Sequence, residues 1–439
     1  MKIKNIVTVL LVAIILASCA PAVKVVPTET AVPMSTFTLV PPTPTSTPTP
    51  PIETLPVTQK SVSQFVSSMQ TAGINITAEQ ILQQKLEIQT LIGADGKQYE
   101  IATAHLDPDP SKQGEILEGD YPLLIKTEKG WNEATLQNIA KIVGWDFGAL
   151  LNLDRNFRDI TINNFGMGNA YIDWNLVQAK KGVWDFSDPD YNINTADEAG
   201  VDVMANLIWG NNIAQWAKDD PDLHAVMIDY ITQVMTHYKG KVKIWNVYNE
   251  AQLHGSDDIY WNKLNGIEAV RDAYKTARAT DPSATLIYND FVDTSGSPQR
   301  DRLPTFESVI SQIKKDGNLD GIGLQIGGRP DTNEINRLRK VLDALDKYNL
   351  PIYVSEFEII TGENTPDNLA RQAKVAADVI RLLKEYKNVV AVIAFPIDDR
   401  ISNKLFFPNS NAGLWLKTDS GNYVPKPIVY TMMSVLAEP

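Results

Sequence analysis

Eight short apolar runs, each set apart from the next by a stretch of helical character, restrict this chain to very few architectures. They occupy residues 147–152, 160–165, 202–209, 243–247, 285–289, 321–325, 352–357 and 390–395. Runs this short and this continuously apolar suit parallel strands buried on both faces. The clearest helical segment is 366–386, where Leu369, Ala373, Ala376, Ile380 and Leu383 step by four and three. Thr365 is placed to cap it and Pro366 to be its first helical residue. Strand and helix alternating eight times predict an α/β fold of the (β/α)8 TIM barrel type. A doubly wound parallel sheet is the alternative, but no GxGxxG or GxxxxGK follows any strand, which favours the barrel.

In a barrel, chemistry gathers at the C-terminal strand ends. The fourth strand runs into Trp245-Asn246-Val247-Tyr248-Asn249-Glu250 and the seventh into Ser355-Glu356-Phe357-Glu358. The third ends at Trp209, the fifth at Tyr288-Asn289-Asp290 and the sixth at Leu324-Gln325. A lone glutamate after a strand means little, because the dipole of a following helix favours it there anyway. Lone tryptophans are more often core than ligand platforms. Two carboxylates on opposed strands, amid amides and indoles, are another matter. They are what hydrolysis through an oxocarbenium-like transition state requires.

Charge and residue counts narrow the partners. Among 439 residues, 53 acidic side chains outweigh 40 basic ones for a net charge of −13. Phosphates would be repelled, so no nucleic-acid partner is expected. A neutral polysaccharide meets no such barrier. One cysteine excludes an intrachain disulfide. The four histidines, His105, His224, His237 and His254, lack metal-ligand spacing. No metal and no cofactor are expected, and the chain is expected to be a monomer.

The N-terminal region reads as an address and a tether. Lys2 and Lys4 precede an apolar run from Ile6 to Leu16, too short to span a bilayer. Leu16-Ala17-Ser18-Cys19 resembles the lipobox of bacterial lipoproteins, and Cys19 is the sole cysteine of the chain. Residues 1–18 are thus expected to be a lipoprotein signal peptide, with Cys19 lipidated and the protein held outside the cytoplasm on the cell envelope. Residues 19–58 form a Pro/Thr-rich linker, in which Pro41-Pro42-Thr43-Pro44 and its continuation favour extended polyproline II. Residues 59–130 form a small α+β module. Val62, Phe65, Val66 and Met69 have helical spacing, Thr77 and Gln80 match a capping box, and 86–92 with 99–105 read as a hairpin. The module either packs on the following domain or binds carbohydrate.

Residues 131–439 resemble family 10 of the glycoside hydrolases, the barrel endo-β-1,4-xylanases. The resemblance rests on Trp245 to Ala251, on Tyr353-Val354-Ser355-Glu356-Phe357-Glu358-Ile359, on Leu286 to Phe291, on Asp320 to Gln325 and on Tyr423-Val424-Pro425-Lys426-Pro427. It implies a retaining mechanism with Glu250 as general acid/base and Glu356 as nucleophile. It further implies Asn249, Trp209, Trp245, Gln325, Asn289, Glu358 and Trp174 as residues of the substrate site, and a β-1,4-linked polysaccharide, xylan first, as substrate. Five places depart from the family pattern. Gly210 and Gly327 stand where it has histidines, and Glu358 stands where it usually has aspartate. Ala170-Tyr171-Ile172-Asp173-Trp174 replaces its Asn-Glu-Met-Lys-Trp, and Ile393-Ala394-Phe395-Pro396 lacks its tryptophan. A β-glycanase of different specificity, or a barrel that binds surface glycans without cleaving them, are the alternatives.

Overall fold

The computed structural model describes residues 59–439 except 85, 108–118, 152–157, 210–211, 252–263, 265, 293–301, 329–331, 406–407 and 419–420. The signal segment, Cys19, the Pro/Thr linker and Gly210 lie outside the described residues.

Helices Gln59–Thr71 and Ala78–Gln83 come first. Thr77 caps the second through a reciprocal pair: its hydroxyl accepts from Gln80 N at 3.2 Å, while Gln80 Oε1 accepts from Thr77 N at 2.8 Å. A four-stranded antiparallel sheet follows, in the order β1 (Glu87–Ile92), β2 (Gln98–Leu106), β3 (Gly119–Thr127), β4 (Gly130–Glu133). Phe65 lies 5.4 Å from the Tyr121 ring of β3 and 5.1 Å, edge-on, from Tyr430 of the C-terminal helix Pro427–Ala437. One apolar core runs from these N-terminal elements into the helices around the barrel.

The barrel is closed and all parallel. Its strands are β5 (Asp146–Leu150), β6 (Met167–Tyr171), β7 (Asp202–Ile208), β8 (Val242–Tyr248), β9 (Thr285–Phe291), β10 (Gly321–Ile326), β11 (Ile352–Phe357) and β12 (Val389–Ala394). Helix Pro366–Lys384 opens as its sequence predicts, with Thr365 Oγ1 accepting from Asn368 N, and it buries Leu369, Ala373, Ala376, Ile380 and Leu383.

One expected strand is corrected. Residues 160–165 fall largely within a helix, Arg158–Asn164, and the second barrel strand is β6. The β-branched run Ile160-Thr161-Ile162 carried a strand-like signal. The true strand hides its own behind Gly168 and Asn169. A Cβ on Gly168 would fall 2.4 Å from Leu151, so the sheet closes there only around glycine. Asn169 points inward for a reason that the site explains.

Inside the barrel the side chains form layers. Met167, Met204, Ile244, Ile287, Ala391 and Ile393, with Tyr353, make an apolar plug. Two residues further along five of these strands stand Asn169, Asn206, Asn246, Asn289 and Ser355, which make a polar layer. Each of these is buried.

Candidate active site

The polar layer is joined by hydrogen bonds around the barrel. Asn169 Nδ2 donates to the Ser355 carbonyl at 3.3 Å, Asn206 Nδ2 to Asn169 Oδ1 at 2.6 Å and Asn246 Nδ2 to Asn206 Oδ1 at 2.6 Å. Asn246 Nδ2 also donates to Asn249 Oδ1 at 2.7 Å, and Asn289 Nδ2 reaches the same oxygen at 2.7 Å. Ser355 Oγ closes the circuit on Asn289 Oδ1. A buried polar layer is costly when half satisfied and rigid when complete. Here it fixes Asn249 with its oxygen doubly engaged, so its NH2 group is the part offered to a ligand.

Above this layer the chain is held in an uncommon conformation. Glu250 has φ of 53°, the left-handed region that non-glycine residues seldom occupy. Neighbouring strands hold it there: Asn249 N donates to Ile208 O at 2.7 Å and Glu250 N to Asn289 O at 2.9 Å. Such strain persists only where the surroundings over-determine it, and it concentrates at functional sites.

Glu250 and Glu356 meet across the mouth. Gln325 Nε2 donates to Glu250 Oε1 at 2.5 Å and to Glu356 Oε1 at 3.1 Å. The two oxygens can therefore lie no farther apart than those lengths laid end to end, about 5.6 Å. Glu356 Oε1 also accepts from Tyr171 Oη at 2.8 Å and Asn289 Nδ2 at 3.2 Å. Among the described residues no donor engages its Oε2. Burial and the nearby Glu250 push Glu356 up to about 8, against the hydrogen bonds from Tyr171 and Asn289, which lower it. The two carboxyls thus keep a proton between them through the neutral range. Among the described residues three donors converge on Glu356 and one on Glu250.

A third carboxyl stands behind the pair. Glu358 is raised well above the ordinary glutamate value by burial and then by Glu356 and Glu250. Its Oε2 is buried without a hydrogen-bond partner among the described residues. Gly327 makes room for it: a Cβ at 327 would sit 1.8 Å from Glu358 Oε1. The longer acid and the glycine are therefore one spatial exchange, the carboxyl filling space that any side chain at 327 would need.

The aromatic residues divide. Trp209 is half-buried at the mouth, its ring edge-on to Tyr171 at 5.1 Å. Asn212 ties its backbone down, accepting from Trp209 N at 3.0 Å and donating to Leu207 O at 2.9 Å. Phe395, also half-buried, faces Tyr171 from the other side at 6.0 Å. Trp245 and Trp174 leave the site. Both are fully buried; Trp174 stacks on Tyr230 at 4.1 Å and donates Nε1 to Gln178 Oε1, while Trp245 finds no partner for its Nε1 among the described residues. They are core. Sequence reasoning also passed over Tyr171, Asn169, Asn206 and Asn246. Amides recurring in otherwise apolar strands were the signal that could have found the last three. Among the described residues no group of three or more His, Cys, Asp or Glu is arranged to hold a metal.

Two carboxyls this close, one of them held by three donors on a single oxygen with its other oxygen open, are equipped for nucleophilic attack paired with proton donation. Known proteins agree with the geometry. Beta-1,4-xylanase of Dictyoglomus thermophilum is 26% identical over 261 residues, covering 55% of this chain and 71% of that protein. Endo-1,4-beta-xylanase B of Neocallimastix patriciarum is 26% identical over 271 residues, 59% of this chain but only 30% of that longer relative. The crystal structure of xylanase 10B from Thermotoga petrophila RKU-1 in complex with xylobiose shares the fold, with a TM-score of 0.60 at 22% identity over 70% of this chain and 98% of that one. The model of Glycosyl hydrolase family 10 matches residues 145–435, and the chain belongs to that family.

Proposed function

We propose that the protein is a retaining endo-1,4-β-xylanase, cleaving the backbone of a xylan-type polysaccharide at Glu250 and Glu356. The observation that carries this is the Gln325 amide touching both carboxylates, which bounds their oxygens to about 5.6 Å. Retaining glycosidases hold the pair about 5–5.5 Å apart, whereas inverting ones leave about 6.5–9.5 Å for a water. Glu356 Oε2 attacks the anomeric carbon while Glu250 gives its proton to the departing glycosidic oxygen. Glu356 is then an ester, its charge gone, and Glu250 is free to take a proton from the water that releases the sugar. The Asn249 NH2 group would hold the 2-hydroxyl of the cleaved sugar, and Trp209 would offer a ring to a sugar face.

We infer further that Cys19 is lipidated and that the linker holds the barrel off the cell envelope, toward polymeric substrate. The test of the activity is reducing-sugar release from xylan, with the first-formed product followed by proton NMR. The β-anomer should appear first and mutarotate later. A first-formed α-anomer, or no release from xylan by the folded protein, overturns the reading.

A further inference from the structure

The nucleophile stands among like charges. Glu356 is faced by Glu250 from the end of β8, by Asp290 from β9 and by Glu358 beyond its own strand, and each of these raises the cost of its ionisation or is raised by it. Among the described residues the donors that reach it are all neutral. Two have divided duties: Asn289 Nδ2 also serves Asn249, and Gln325 Nε2 also serves Glu250. Tyr171 Oη gives its one proton to Glu356 alone, over the shortest of the three distances, 2.8 Å against 3.1 and 3.2 Å. Trp209 and Phe395 confine the phenol ring from two sides, at 5.1 and 6.0 Å. Burial, followed by the Glu356 charge, keeps the phenol from ionising, so its O–H remains a donor throughout the working range.

We propose that Tyr171 is a positioning residue for the reaction, holding the ionised Glu356 by its Oε1 so that Oε2 is presented to the anomeric carbon. All three bonds to this oxygen are charge-assisted when Glu356 is ionised, and the phenol, a more acidic donor than an amide, makes the shortest of them. It stabilises the resting carboxylate and keeps its rotamer. No proton changes hands: when Oε2 becomes an ester, the phenol remains a donor to the carbonyl oxygen left behind. The residue thus compensates for the three neighbouring carboxyls with neutral chemistry.

This inference rests on Glu356 being the nucleophile, and the experiment separates the two claims. Tyr171→Phe removes one oxygen and keeps the packing against Trp209 and Phe395. The acid limb of kcat/KM, set by ionisation of Glu356, should rise by about one pH unit and kcat should fall about tenfold, with KM little changed. The basic limb should stay in place, since Glu356 is ionised on both sides of it. A readout independent of turnover uses protein labelled with carbon-13 at the glutamate carboxyls. The Glu356 signal, assigned by its loss in Glu356→Gln, should titrate at higher pH in Tyr171→Phe than in wild type. If that signal titrates at the same pH in both proteins, the proposal fails, whatever happens to kcat. Absence of xylan cleavage by wild type would instead remove the functional reading and leave the titration result standing.

Discussion

Replacing Glu356 by glutamine keeps the shape of the side chain and removes its proton equilibrium, so its effect on stability must depend on pH. Burial and Glu250 move Glu356 from the ordinary 4.5 up to about 8. Between those values the folded chain keeps a proton that the unfolded chain has released. Wild-type stability is therefore intact below that window and falls as pH rises through it. At about 1.4 kcal/mol per unit, the loss across the window is on the order of a few kcal/mol. That is a large part of the about 5–15 kcal/mol that holds a typical domain folded. Glutamine has nothing to release, and its amide oxygen can still accept from Tyr171. Glu356→Gln should therefore match or trail wild type near about pH 5 and exceed it by a growing margin toward about pH 8.5. Urea unfolding at a series of pH values measures the difference directly. Stability curves that stay parallel across that range refute the reasoning.

Two further perturbations probe other parts of the account. Gly327→Ala puts a methyl group 1.8 Å from Glu358 Oε1 and should destabilise the barrel by about 1–3 kcal/mol. Adding Glu358→Ala should recover most of that cost, and strictly additive losses in the double variant would show that the two positions do not share the space. Cys19→Ala should shift the protein from the membrane fraction to the soluble one, and an unchanged distribution would remove the anchor.

Much of this arrangement could be read from the chain before any coordinates, and the failures have physical causes. Seven of the eight barrel strands announce themselves by apolar runs, because a strand buried on both faces has little other choice of residue. The eighth, β6, could not do so: it carries Gly168 where the sheet closes on Leu151 and Asn169 where the polar layer needs an amide. Its function erased its signal. Glu250, Glu356, Asn249, Gln325 and Asn289 were legible because they end strands and join one hydrogen-bonded group. Trp245 and Trp174 were misplaced for the complementary reason, since an indole near a strand end serves core or cleft equally well. Only its orientation decides, and sequence does not carry that. Tyr171 was passed over because its role exists only across the barrel, 185 residues from its partner.

The central claim is that Glu356 forms a covalent bond to the sugar. An activated 2-deoxy-2-fluoro xyloside slows release of such an intermediate, so the protein incubated with it can be examined by intact-mass and peptide mass spectrometry. The account predicts one added sugar per chain, carried on the peptide containing Glu356 and absent from Glu356→Gln. Steady hydrolysis without any adduct, or an adduct on a different residue, would contradict it.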